Sequence, residues 1–170
     1  MSTHYKTKET AIKHIRAGKD FSNKPFDLFR EDKEVVLEAV RQDGTALDYA
    51  SNELKADKEI VLEAVKQQGW ALQYASVDLK ADKEVVMEAV KSRGWALSIA
   101  SNELKADKEV VLEAVRKSSE SIQFASDDIQ ALCKDKDPVK TLESVIAHEK
   151  LQSTLAQKAP APKQRVGLKL

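Results

Sequence analysis

The stretch that decides the fold is Asp57-Lys58-Glu59-Ile60-Val61-Leu62-Glu63-Ala64-Val65-Lys66-Gln67-Gln68-Gly69-Trp70-Ala71-Leu72-Gln73-Tyr74-Ala75-Ser76. Its first ten residues return nearly unchanged as Asp32–Arg41, Asp82–Lys91 and Asp107–Arg116, each copy 25 residues from the next with no gap. The second half keeps the same register, so that Gly69-Trp70-Ala71-Leu72 and Ala75-Ser76 match Gly94-Trp95-Ala96-Leu97 and Ala100-Ser101. A fixed period of this kind marks a stacked repeat architecture, in which one unit buries its apolar face only against its neighbours.

Within the unit, Asp57 is a good N-cap and Glu59 sits in the positive first turn, so a helix is expected over about 58–67. Gly69 stands where a left-handed C′ residue would end it. At about 100° per residue, Ile60, Val61, Leu62, Ala64 and Val65 cover roughly half of the circumference. That is wider than the stripe of a helix packed on one side, and it predicts a helix sandwiched between two neighbours. The segment 70–75 allows at most two turns, and Ser76-x-x-Leu79 predicts one further turn capped by Ser76 with Leu79 tucked in. Ala39, Ala64, Ala89 and Ala114 mark the close approaches. Stepping back one period reaches Thr7–Arg16, a degenerate copy with Ile12 and Ile15 at core positions. After the fourth copy the register slips, with Lys134-Asp135-Lys136 filling the insertion, and Pro138 opens a longer helix with Val139, Leu142, Val145, Ile146 and Leu155 at helical spacing. The expected architecture is all-α: an N-terminal cap over 1–31, four tandem helix-pair repeats over 32–131 stacked as a short solenoid, a capping helix over 132–157, and a basic disordered tail over 158–170.

The composition agrees with that class. Of 170 residues, 42% are apolar, 5% aromatic and 33% charged, the balance of a helix-rich chain. A single cysteine, Cys133, excludes an internal disulfide framework. The N-terminal residues lack the apolar core of a signal peptide, and no stretch reaches the ~18 apolar residues of a membrane span. The expected location is the cytoplasm, or a host cell entered by a Sec-independent route.

The repeated string Asp-Lys-Glu-Val-Val-Leu-Glu-Ala-Val-Lys, followed by Gly-Trp-Ala-Leu, Ala-Ser and Leu-Lys-Ala, resembles a short helical-repeat family known only as a domain of unknown function. The resemblance covers about residues 32–131. It implies a helical fold, occurrence in bacteria including intracellular pathogens, and a possible role as a secreted effector or an inhibitor of one. It supplies no catalytic residues.

The chain has no His-Glu-x-x-His, no Cys-x-x-Cys, no phosphate-cradling glycine loop and no Gly-x-Ser-x-Gly. His4, His14 and His148 are scattered, so no metal site and no cofactor are expected. Cys133 and His148 are the one nucleophile and base pair worth naming, and nothing else of a triad accompanies them. No enzymatic activity is expected.

Positions that stay constant among the copies serve packing, and positions that drift are free of it. The drifting set lies at the inter-helix turn and on the second segment: Gln42/Gln67/Ser92/Lys117, Asp43/Gln68/Arg93/Ser118, Thr45/Trp70/Trp95/Glu120 and Asp48/Gln73/Ser98/Gln123. Trp70 and Trp95 stand where other units carry Thr45 and Glu120, so at least part of each ring is expected at the surface. Two tryptophans about 10 Å apart on one ridge would make an aromatic anchor. The alternative is that each ring lies over the groove to the next unit. Trp70, Trp95, Arg93, Gln68 and Gln73 are the candidate partner-binding residues. Tyr49, Tyr74, Ile99 and Phe124 alternate only among bulky groups and read as core. Glu38, Glu63, Glu88 and Glu113 read as a solvated stripe ion-paired with Arg41, Lys66, Lys91 and Arg116.

The 28 basic and 28 acidic residues are unevenly distributed. Residues 1–24 carry six basic and two acidic groups and residues 150–170 five basic and none acidic, leaving 25–149 with a net charge of −9. The array therefore favours a protein partner with a basic surface over nucleic acid. The expected function is a non-enzymatic protein-binding module using the ridge around Trp70, Arg93 and Trp95. The alternative is attachment to nucleic acid or an anionic membrane through the basic termini.

Overall fold

Asp57 shows how a unit begins. In the computed structural model, which describes residues 7–18 and 28–158, one oxygen of its carboxylate accepts the backbone N–H groups of Glu59 and Ile60 at 3.0 and 3.3 Å. Asp32, Asp82 and Asp107 cap their helices in the same way. The expected tail past Lys158 and the first six residues lie outside the described residues.

Each unit is built from three pieces. The long helices are α2 (Lys33–Gln42), α4 (Lys58–Gln67), α6 (Lys83–Ser92) and α8 (Lys108–Lys117). Each is followed by a 3-10 helix, Gly44–Tyr49, Gly69–Tyr74, Gly94–Ile99 and Ser119–Phe124 in turn. The third piece is a single turn: α3 (Asn52–Lys55), α5 (Val77–Lys80) and α7 (Asn102–Lys105), extended in the last unit to α9 (Asp127–Cys133). Ser76 caps α5 through the N–H of Leu79 at 3.4 Å, and Leu79 is buried. Ahead of the array lies α1 (Lys8–Arg16), with Ala11 and Ile15 buried against it. Among the described residues there is no strand.

The long helices stack side by side, α1 on α2, α2 on α4, α4 on α6, α6 on α8. Val35, Val36, Ala39 and Val40, with their equivalents in α4 and α6, have no exposed surface. The 3-10 helices form a second row against the first, the first three each adding one fully buried leucine, Leu47, Leu72 and Leu97, and the fourth the partly buried Ile122. A third row is tied by main chain, since Ser51, Ser76, Ser101 and Ser126 donate their N–H groups to Arg30, Lys55, Lys80 and Lys105 of the preceding turn at 2.9–3.0 Å. Each of these bonds satisfies across the stack one backbone N–H that the short pieces leave open.

The glycines do a different job from the one their position suggests. Gly69 is not in the left-handed region; α4 ends at Gln68 in extended backbone (φ −142°) and Gly69 opens the 3-10 helix. A β-carbon there would lie 2.5 Å from the carbonyl oxygen of Ala89 in the next unit and 3.0 Å from Cβ of Arg93. Gly44 faces Ala64, and Gly94 faces Ala114, in the same way. The glycine and the buried alanine of the following helix together set the spacing of the stack.

The array closes with α10 (Pro138–Lys158), entered through Asp135 at φ 59° and capped by Asp137. It packs on α8 through Leu142, fully buried, with Val139 and Ile146 partly buried. Leu155 does not belong to this apolar face: it is 60% exposed, as Leu151 is at 59%, because the helix outruns the array it covers.

Candidate functional site

Two surfaces stand out once the chain is folded. The first is a ladder of ions along the N-terminal ends of the long helices. Lys58 reaches the next unit and touches Asp82 at 2.7 Å and Glu84 at 2.8 Å. Lys33 does the same with Asp57 and Glu59, and Lys83 with Asp107 and Glu109. Lys8 of α1 opens the ladder on Asp32 and Glu34. At the far end α10 takes the place of a further unit, its Glu149 receiving Lys108 and its Lys150 reaching Glu109, both at 2.9 Å. Hydrogen bonds from Lys150 and Lys83 hold the Glu109 carboxyl down at about 2. The hydrogen bond from Lys58 lowers that of Asp82 against the opposing effect of burial. Asp57, Asp82 and Asp107 thus divide their oxygens between capping their own helix and receiving the preceding lysine, while Asp32 does both through Oδ1. The invariant Asp-Lys-Glu is an inter-unit clasp, which explains why all three residues repeat.

The second surface is the outer side of the 3-10 row. In a 3-10 helix residues three apart eclipse one another, giving three columns. Leu72 and Ala75 point into the core, Trp70 and Gln73 share the outward column, and Ala71 and Tyr74 form the flank, with Ala71 buried and Tyr74 only partly so. This geometry corrects the reading of Tyr49, Tyr74, Ile99 and Phe124 as core. Tyr49 is 43% exposed and the other three are partly buried, because the flanking column reaches the rim of the groove between units. Burial first, then the charges of Asp48 and Asp43 from the preceding unit, push the Tyr74 phenol upward.

The five predicted residues fall on this side, at different depths. Trp70 is half-buried and Arg93 of the next unit lies over its ring, with the guanidinium carbon 5.8 Å from the centroid. Trp95 is 40% exposed; its ring meets Phe124 edge to face at 5.5 Å and 66°. Its Nε1–H donates to Oγ of Ser118 at 3.0 Å, and that hydroxyl donates to Glu120 at 2.6 Å. The Ser118 bond, with the backbone N–H of Glu120, lowers the Glu120 carboxyl below its ordinary range. Gln68, in extended backbone at the end of α4, and Gln73 are exposed. Each indole therefore spans to the next unit and also presents surface, joining the two alternatives posed for it. The Tyr49, Tyr74, Ile99 and Phe124 column was missed as surface; its signal was the 3-10 length of the segment, too short to turn every bulky residue inward.

The glutamates of the long helices are drawn into pairs of mixed range. Glu38 receives Arg16 of α1 at 2.9 Å, Glu88 pairs with Lys91 at 2.7 Å, and Arg116 reaches Glu143 of α10 at 2.6 Å. Cys133 is buried in a cleft it shares with Ser119, Glu120, Gln130 and Lys136, and burial pushes its thiol up. His148 lies on the exposed side of α10, its ring bonded to Gln152 at 2.7 Å, so the two are not brought together as nucleophile and base. Among the described residues no group of three or more His, Cys, Asp or Glu side chains could hold a metal ion, and no helix is long and apolar enough to cross a membrane.

With this geometry in hand, a comparison with protein families finds a match at residues 32–80 and again at 82–130, more than half of the chain, to a domain of unknown function, DUF4116. The chain belongs to that family. Each match spans two of the 25-residue units, so each matched segment of this chain is a pair of clasped units and two such segments lie in tandem. No curated protein and no solved structure matches the chain.

Proposed function

We propose that the chain is a non-enzymatic binding module whose 3-10 ridge receives a protein partner with a basic surface. The observation that carries this is the line of half-exposed aromatic and apolar side chains, Tyr49, Tyr74, Trp70, Ile99, Trp95 and Phe124, on the side where the units differ in sequence. The invariant Asp-Lys-Glu residues are consumed by the clasp. Large aromatics are enriched among the anchors of protein interfaces. The ridge carries Asp43, Asp48 and Glu120 against Arg93 and Lys117, the one-turn helices after it balance Glu53, Asp78 and Glu103 with Lys55, Lys80 and Lys105, and α9 adds Asp127 and Asp128 with no basic residue of its own. These charges favour a basic partner and oppose nucleic acid.

The test is affinity capture with the parent chain and with a Trp70→Thr/Trp95→Thr variant, both side chains taken from the equivalent Thr45. A partner kept by the parent and lost by the variant, with helical circular dichroism unchanged, supports the reading; equal capture by both refutes it. Delivery into a host cell belongs to the same proposal and is tested separately, by a translocation reporter fused to residues 141–170.

A further inference from the structure

The repeat contains its own worked example of what the ridge can bind. Arg93 lies over Trp70 because it occupies the residue just before the 3-10 helix of the following unit. The residue in the same place relative to Trp95 is Ser118. The backbone there is the same, φ −150° and ψ 114° at Arg93, φ −155° and ψ 115° at Ser118, so only the side chain differs. Serine is too short to cover an indole, and Trp95 is left 40% exposed where Trp70 is half-buried. Ser118 instead takes the Trp95 N–H at the ring edge and passes its own hydrogen to Glu120, which brings a carboxylate beside the indole.

We infer that Trp95 and Glu120 form a seat for an arginine side chain of the partner, which would lie over the indole as Arg93 lies over Trp70 and meet Glu120 as counter-charge. This deepens the ridge reading and rests on it. A planar guanidinium suits both halves of such a site, since it stacks on an aromatic face and pairs with a carboxylate through parallel hydrogen bonds. The seat is single, because Thr45 offers no ring and Trp70 is already covered.

The experiment is a proton–nitrogen spectrum of the full chain, in which the two tryptophans give two indole N–H resonances, assigned with Trp70→Phe. The probe is a capped Gly-Arg-Gly-Arg-Gly peptide at low salt, with its citrulline analogue as the uncharged control. The Trp95 resonance should move with the arginine peptide while that of Trp70 stays, and citrulline should move neither. Ser118→Arg, which copies Arg93, should abolish the response; Arg93→Ser should uncover Trp70 and let it respond about two- to five-fold more weakly than Trp95, since Trp95 itself stands in the place of Glu120 there, a gain that keeps the test open if Ser118→Arg fails to fold. Glu120→Gln should weaken binding about two- to five-fold. Equal movement of both indoles in the parent, an equal response to citrulline, or a response that survives in folded Ser118→Arg overturns the seat. Partner capture that depends on the ridge without any arginine response removes the seat and spares the ridge reading; an arginine response without ridge-dependent capture does the reverse.

Discussion

Replacing Gly69 by alanine separates two explanations of one residue. Gly69 has an ordinary backbone conformation, so alanine there restricts the unfolded chain and on that ground alone stabilises by about 0.4–1 kcal/mol. Against this, the new Cβ arrives 2.5 Å from the Ala89 carbonyl oxygen and 3.1 Å from the backbone nitrogen of Arg93, neither of them a flexible side-chain end. The third unit must retreat by about 0.5 Å before that contact reaches even 3.0 Å. Overpacking of this kind costs about 1–3 kcal/mol. The net loss is up to about 2.5 kcal/mol, equivalent to a fall in melting temperature of up to about 10 °C for a chain of this length. Circular dichroism melts give the total, and amide hydrogen exchange should place the loosening between the second and third units. Gly69→Asn should be worse than Gly69→Ala, the opposite of the order for a left-handed cap. The fourth unit is the internal control: it carries Ser119 in place of glycine, exposed, with no repeat helix following, so Ser119→Gly should change stability by only a few tenths of a kcal/mol. A Gly69→Ala chain that melts at or above the parent would refute the close-approach argument.

Lys83→Met keeps the stem and removes the charge of one clasp; its cost should stay under about 1 kcal/mol at low salt and shrink in 1 M salt, as melting curves at the two ionic strengths would show. Glu109 has a folded value of about 2 against an ordinary 4.5, so its contribution is present above about 4.5 and is lost as the pH falls toward 2. Because Glu109 is 45% exposed, that contribution should stay below about 1 kcal/mol, seen as a flatter acid limb in the pH–melting profile of Glu109→Gln. Leu142→Ala should cost about 2–5 kcal/mol and free α10 to exchange its amides, whereas Leu155→Gln should fall within about 0.5 kcal/mol of the parent.

The period, the Asp caps, the buried Val and Ala set and the closing helix were all legible in the linear chain, because they depend on local spacing. A helix of ten residues with apolar groups on half its circumference has to lie between two others wherever those others are. Distances across units are another matter. The chain shows that the Lys of Asp-Lys-Glu does not vary and that three of the four units carry glycine at the place of Gly69, and local rules assign that glycine to a left-handed cap. Only in the stack does the Ala89 carbonyl come up against Gly69, and only there do Lys58 and the Asp82 carboxylate, 24 residues apart, come within 2.7 Å. The ridge divides in the same way. Trp70 and Trp95 are equivalent in sequence, and one is covered while the other is open, because what lies over an indole is a residue of the next unit, Arg93 in one place and Ser118 in the other.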